Sequence, residues 1–473
     1  MSRKPQSTSS VVDAAGNASV ASRALEDQFR RVYQDILSRA PEHDFEPTLD
    51  RVRRALDLLG EPQRTYRVIH VAGTNGKTST ARIAESLVRA HGLRTGLLTS
   101  PHLSSVRERI ALDGQPISPE AFMEAWSQVQ GVVDLVDAES AAQGGPRLSF
   151  FEVLTILGFT ALADAPVDVA VVEVGMGGTW DATNTVESEV QCITPIGRDH
   201  ESYLGSSLES IAAEKAGIIR SQVVIGRQRP EVQEVLEEAL EQAEAAGFWL
   251  GGDFDVLSRE PAVGGQLIHL QGLGGDYEQF LLPLYGAHQA DNAAVALAAV
   301  ELLLGDAAHR LAGGPFSEGL EGAASPGRLE VIPGNPAVLV DVAHNVPGAE
   351  ALVAALHESF PFALVGVVGI LADKDAEGML SVLEPVLDQV VITKSTSPRA
   401  LEPAALGEVA REVFGPDRVE VIDRLDDALA RALELAAIET GESPGALGAA
   451  VLATGSATIA AEVRILLRRG QPD

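Results

Sequence analysis

A single cysteine, Cys192, occurs in the whole chain. That excludes an intramolecular disulfide and a cysteine-rich metal centre. It lies in the apolar run VQCITPIG, where a buried structural thiol is expected rather than a nucleophile. Basic residues are also scarce: 36 Lys and Arg stand against 67 Asp and Glu, a formal net charge of −31. Nucleic acid or anionic lipid is therefore not expected as a partner, since both require clustered cations. Solubility accounts for the acidity, and an anionic ligand then needs a locally positive pocket. Aromatic residues make up only 4% of the chain against 45% apolar residues overall, which suits an α/β protein rich in Ala, Val, Leu and Gly. No apolar run reaches about 18 residues, so no membrane span is expected. The opening MSRKPQSTSSVVDAAGNASVASR lacks the apolar core of a secretion signal, and residues 1–23 read as a disordered tail. Cytoplasm is the natural compartment.

What is present is concentrated in VIHVAGTNGKTSTARIAESLVRA, Val68 to Ala90. It reads as a buried strand, a glycine loop and an amphipathic helix opening at Lys77, with Ile83, Leu87 and Ala90 on one stripe. Gly73, Thr74, Asn75 and Gly76 would present backbone N–H groups at a positive helix end, where phosphates sit. Lys77 adds a cation for the β/γ-phosphates, and Thr78 or Ser79 offers a hydroxyl to Mg²⁺. A full G-x-x-x-x-G-K-[ST] match would need glycine at Val71. An ordinary βα turn is the plain alternative, but strand, loop and helix fall where a nucleoside triphosphate site requires them.

Short apolar runs alternate with helical patterns throughout, the mark of parallel sheets with crossover helices. YRVIHVAG, TGLLTS, VDVAVVEVG, VQCITPIG and QVVIGR are the strands expected of a first, doubly wound, mostly parallel P-loop-type domain. The patch FDVLSREPAVGGQLIHLQGLGGDYEQFLLPL reads as a small antiparallel excursion. Ala312 to Arg328, rich in Gly, Ser and Pro, marks the boundary. Beyond it AVLVDVAHN, LVGVVGIL, QVVITKS, RVEVID and GAAVLATGS announce a smaller Rossmann-like α/β domain. The expected organisation is a tail over 1–23, an N-terminal domain over 24–312, a linker over 313–327 and a C-terminal domain over 328–473.

Ligands of open parallel sheets lie beyond the carboxyl ends of the strands. Glu173, Ser100, Asp199 and His200 fall at such ends and, with Thr78, supply oxygen and imidazole donors around one phosphate tail. Few protein donors per ion suit Mg²⁺ when a nucleotide supplies the rest. The plain role for Glu173 is a satisfied polar residue at a sheet edge, but a carboxylate inside VDVAVVEVG is costly without a cation, which favours metal or ligand contact. From spacing alone, Lys215 in SLESIAAEKAGII reads as a solvated helix-end lysine.

GTNGKTS, TSPHL, FFEVLT, EVGMGG, WDATN, IGRDH with YLG, EKAGI, HQADNAAVAL, PGRLE, DVAHN and GILADKD follow one another in order. With these motifs the chain closely resembles the bacterial folylpolyglutamate synthase/dihydrofolate synthase enzymes of the Mur ligase superfamily, from about Thr48 to the C-terminus. The resemblance implies an ATP-dependent amide ligase that adds L-glutamate to dihydropteroate and to reduced folates through an acyl phosphate. Lys77, Glu173, His200 and Lys215 would be its catalytic residues. Gly73 to Thr78, Asn292, Arg328, Asp341 and His344 would bind the nucleotide. One Mg²⁺ would see Thr78, Ser100 and Glu173, and a second His200. The lysine matching Lys215 is carbamylated in this family, which turns a cation into an anion able to bridge towards a metal. Thr48, Asp50, Phe150, Phe151, Glu152, Asp181 and Ala182 would surround the pterin, although core packing is the plain role for Phe150 and Phe151. Related enzymes suggest a monomer.

Pro195 stands where the family usually carries Asn, Val342 where it carries Gly, and Trp180 where it carries Leu. Arg198 stands where an apolar residue is common. Every implied ligand survives these departures, and the pterin pocket is where they bear. Three alternatives accompany the reading: a folylpolyglutamate synthase without dihydrofolate synthase activity, a Mur-type ligase of UDP-linked peptides, and a nucleotide-binding protein that has lost catalysis. The second would carry a further N-terminal domain, and only about 65 residues precede the P-loop strand.

Overall fold

Val68, Ile69, Val71 and Ala72 are fully buried, as consecutive residues of a strand covered on both faces must be. The computed structural model describes residues 9–41, 47–305, 310–442 and 448–469. The first lobe is built on an eight-stranded sheet of β1 (Arg67–Ala72), β2 (Thr95–Leu98), β3 (Ile110–Leu112), β4 (Gln115–Pro116), β5 (Val169–Glu173), β6 (Val190–Ile193), β7 (Gln222–Ile225) and β8 (Ala246–Trp249). Its order is β4-β3-β2-β5-β1-β6-β7-β8, parallel from β2 to β8, with β3 and β4 antiparallel at one edge. One face packs on helices Lys77–Ala90 and Ala287–Leu303, the other on Pro119–Ala142 and Phe150–Asp164. The antiparallel excursion is the sheet β9 (Asp255–Ala262), β10 (Gly265–Gln271), β11 (Asp276–Leu282).

The second lobe carries β12 (Glu330–Ile332), β13 (Ala337–Val340), β14 (Ala363–Val368), β15 (Gln389–Ile392), β16 (Val419–Val421) and β17 (Ala449–Thr454) in the order β12-β13-β17-β14-β15-β16. Only β12 runs antiparallel. Apolar clusters cover both faces of this sheet, and the expected pair of doubly wound α/β units is what forms.

Two expected segments differ. The stretch read as linker holds helix Gly313–Glu321, whose Phe316 and Leu320 are fully buried in the first lobe's core. Gly319 makes this possible, since a Cβ there would come 2.8 Å from the Cα of Leu87 on the P-loop helix. The chain leaves the first lobe's core at Ala323 and enters the second's at Leu329. The tail read over 1–23 overlaps helix Ser9–Leu37, and residues 1–8 lie outside the described residues. Among the described residues no helix is long and apolar enough to cross a membrane.

Candidate active site

The strand order places the carboxyl ends of β2, β5, β1 and β6 side by side, and Glu173 is in register with Val71. Beyond β1 the chain turns through Gly73, at φ +142°, and Gly76, at φ +88°, into helix Lys77–Ala90. Only glycine fits either place. A Cβ on Gly73 would meet the Thr194 side chain at 1.9 Å and its carbonyl oxygen at 2.8 Å, and one on Gly76 would meet Asn292 Oδ1 at 2.4 Å. The loop is held from β6, with the Thr74 and Asn75 amides donating to the Pro195 carbonyl at 3.1 and 3.3 Å. Gly73→Ala is therefore expected to cost at least about 2 kcal/mol of stability through overpacking and to remove nucleotide binding. Chemical denaturation and calorimetric titration with ADP measure both.

Glu173 is buried, and its two oxygens accept from the Thr78 hydroxyl at 2.8 Å and the Ser100 amide at 3.0 Å. Burial pushes its carboxyl up against the opposing charge of Lys77 and these two bonds. Burial likewise pushes the Lys77 ammonium down, opposed by Glu173 and Asp199, and its Nζ donates to the Thr74 carbonyl at 3.1 Å. His200 takes a left-handed φ of +53°, uncommon for a residue with a side chain and concentrated at functional sites. Burial lowers its pKa to about 4 against the pull of Asp199, so the imidazole is neutral at pH 7.

Lys215 is not the solvated helix-end lysine that spacing suggests. It is 4% exposed, and burial, then Lys77, lowers its pKa to about 7. Gly178 lets this helix approach the glycine turn after β5, since a Cβ there would lie 2.5 Å from the Glu214 carbonyl oxygen.

The second lobe meets this surface through Asp199. Its carboxylate forms an ion pair with Lys374, accepts from the Asn345 side-chain amide at 3.0 Å and lies 3.2 Å from His344 Nε2. Burial alone would raise this carboxyl. The His344 hydrogen bond and the charges of His200, His344 and Lys374 outweigh it and hold the group well below the usual carboxylate range. Asn345 caps its own helix through Gly348 N and exchanges amide hydrogen bonds of 3.3 Å with Asn75 of the P-loop. Buried Asp341 and half-buried Arg328 act on one another through their opposite charges where the lobes join.

These groups open on one interlobe cavity of about 540 Å³. It is lined by Gly73, Thr74, Asn75, Gly76, Lys77, Thr78, Ser100, Glu173, His200, Lys215, Asn292, Arg328, Asp341 and His344, as expected, together with Thr48, Phe151, Glu152, Asp181 and Ala182. Asp50 and Phe150 are not among its walls. Asp50 is exposed at the start of helix Asp50–Leu58. Phe150 is buried under the Arg109 guanidinium in the core, turned about 100° around the helix axis from Phe151. Glu152 lines the cavity but is engaged: it closes a capping box with Ser149 and meets Arg51 at 3.2 Å. Lys374 and Asn345 were missed as site residues, although they lie in the motifs GILADKD and DVAHN, Asn345 directly after His344.

Among the described residues no three His, Cys, Asp or Glu side chains gather into a metal cluster. The donor set does suit Mg²⁺, a hard cation that takes one or two carboxylates and completes its shell with phosphate and water.

A P-loop lobe closed over its strand ends by a Rossmann-like second lobe is a Mur-ligase architecture, and the sequence agrees. Residues 138–300 match the Mur ligase middle domain, and residues 327–457 the Mur ligase glutamate ligase domain. The dihydrofolate synthase/folylpolyglutamate synthase of Mycobacterium tuberculosis is 48% identical over 91% of this chain and 92% of its own length. That of Bacillus subtilis is 34% identical over 75% and 82%. The structure of M. tuberculosis folylpolyglutamate synthase complexed with ADP superposes with a TM-score of 0.89 at 46% identity, covering 95% of this chain and 99% of that one. The chain belongs to the dihydrofolate synthase/folylpolyglutamate synthase family.

Proposed function

We propose that this protein is an ATP-dependent ligase that joins L-glutamate to dihydropteroate and to reduced folates. The carboxylate oxygen of the pterin substrate attacks the γ-phosphorus of ATP and ADP leaves. The glutamate amine then attacks the acyl carbon, loses a proton, and phosphate departs with the bonding pair. What supports the reading is the convergence of the Lys77 loop, Glu173, His200 and Lys215 with the second lobe's Arg328, Asp341 and His344 on one cavity.

The chain's part is positioning and charge neutralisation, because a carboxylate and a triphosphate repel. The loop Gly73 to Lys77 would hold the phosphates, with Asn292, Arg328, Asp341 and His344 around the rest of the nucleotide. Phe151, Asp181 and Ala182 would flank the pterin, beside Thr48 and Glu152. Thr78, Ser100 and Glu173 would hold one Mg²⁺ and His200 a second. When bound, the ions neutralise charge on the transferring phosphoryl group. Excluding water between the lobes would protect the acyl phosphate from hydrolysis. We place the enzyme in the cytoplasm as a monomer, which size-exclusion chromatography with light scattering would check.

Lys215 is the carbamylation candidate. Its neutral amine can attack CO₂ and release one proton, leaving an anionic carbamate next to Lys77. With a pKa of about 7 the reactive amine is well populated at pH 8 and falls away as pH drops below 7. Activity in CO₂-depleted buffer is therefore expected to fall, more at pH 6.5 than at pH 8, and to return with bicarbonate. A carbonyl resonance from ¹³C-bicarbonate, absent in Lys215→Ala, would show the adduct. Activity indifferent to bicarbonate at both pH values refutes this role.

Phosphate release with ATP, Mg²⁺ and glutamate, measured with dihydropteroate and with tetrahydrofolate, tests the whole reading. Turnover of both is expected. Turnover of tetrahydrofolate alone would restrict the enzyme to chain extension, and turnover of neither would end the proposal.

A further inference from the structure

Arg82 stands one helical turn beyond Thr78 on helix Lys77–Ala90 and lines the cavity. Among the described residues its guanidinium has neither a hydrogen bond nor an ion pair, only longer-range charge neighbours. The carboxylates acting on it are Glu173, Glu108 and Glu85, and each is committed elsewhere. Glu173 holds Thr78 and Ser100. Glu108 accepts from the amides of Leu103, Ser104 and Ser105. Glu85 takes Arg89 and the Thr95 hydroxyl. Arg328, close enough to repel Arg82, faces Asp341 instead. A half-buried guanidinium beside a second cation, with its five donors unspent, is matched to a bidentate oxyanion.

Position decides which oxyanion. The phosphate cradle is the loop ending at Lys77, and Arg82 is rooted five residues, roughly 7.5 Å, further along the helix axis. The cavity is also lined by Leu103, by Pro326 and Arg328 of the joint and by Val342 of the second lobe, and a Cβ on Gly327 would meet Leu103 and Val342 at 3.0 Å each. There the Ser79 and Ser325 hydroxyls meet across the joint at 3.2 Å. A ligand reaching Arg82 would thus sit in a cavity shared with the second lobe, whose residues 327–457 match the Mur ligase glutamate ligase domain. We propose that Arg82 receives a carboxylate of the incoming amino acid, so that the P-loop helix helps to orient the second substrate as well as the nucleotide. This assignment rests on the ligase reading above.

Arg82→Gln and Arg82→Lys test it, with glutamate and ATP varied separately in the phosphate-release assay. Arg82→Gln is expected to raise the KM for glutamate roughly 10- to 100-fold, the loss of a charged hydrogen bond, with Arg82→Lys intermediate. The KM for ATP and the affinity for ADP should stay within about two-fold, as for a residue touching only the amino acid. Preference for glutamate over its mono-amides should collapse in Arg82→Gln. That ratio is internal to each variant and does not depend on how much of it folds. A raised KM for ATP with unchanged glutamate KM would assign Arg82 to phosphate and overturn the proposal, as would no change in either. Wild-type enzyme that turns over alongside an indifferent variant removes this assignment alone. Wild-type enzyme without glutamate-dependent turnover removes the ligase reading as well.

Discussion

Lys77→Met is expected to slow glutamate-dependent phosphate release by about 10²- to 10³-fold, the usual cost of removing one preorganised charge from a developing anion. The fold should survive. The Lys77 ammonium makes one hydrogen bond, to the Thr74 carbonyl, and burial disfavours its charged form. Methionine keeps the stem's packing and removes that desolvation cost, while Glu173 loses its offsetting charge and is driven further toward its neutral form, so the melting temperature should change little. A kinetic assay beside a thermal melt separates the outcomes. A large loss of stability with little loss of rate would make Lys77 structural and take the phosphate site with it.

The largest stability effect is expected at Asp199. The side chains of Asp199 and Lys374 are 6% and 7% exposed, and they pair across the two lobes. Asp199→Ala strands a buried ammonium, which costs about 3–5 kcal/mol. Adding Lys374→Met to Asp199→Ala should recover most of that loss, because the uncompensated charge then disappears. Denaturant titrations of the two single variants and the double variant give the coupling directly. Near-additive losses would mean that the contact between lobes does not depend on this pair.

The sign of the pH dependence follows. Asp199 is held below its ordinary value of 3.8, so its contribution is fully present above that value and is lost as pH falls further. Lobe docking by this pair should therefore be flat through neutrality and weaken only on strong acidification, the reverse of the Lys215 chemistry, which changes near pH 7.

The strands read from sequence and those that form agree best where both faces are covered. Residues of β1, β5 and β17 are apolar nearly without interruption. The strands that went unread, β3, β4, β8 and β12, lie at or next to sheet edges. β4 is exposed and β12 only half-buried, so their residues need not be apolar, whereas β3 (IAL) and β8 (AGFW) are apolar but too short to stand out. Helix Gly313–Glu321 went unread for a related reason: its glycines and proline resemble a linker, while Gly319 serves close helix packing.

The sequence by itself determined the chemistry at the strand ends, because a glycine loop, a lysine and a helix start are local and their spacing survives any packing. It determined the family too, because many short strings in fixed order need no three-dimensional context. Only the tertiary structure decided that Phe151 faces the cavity while Phe150 faces the core, that Lys215 is desolvated rather than solvated, and that Asp199 belongs to Lys374, 175 positions away. Those are matters of burial and long-range charge. A titratable side chain's state is set by what packs over it, and that neighbour lies far along the chain.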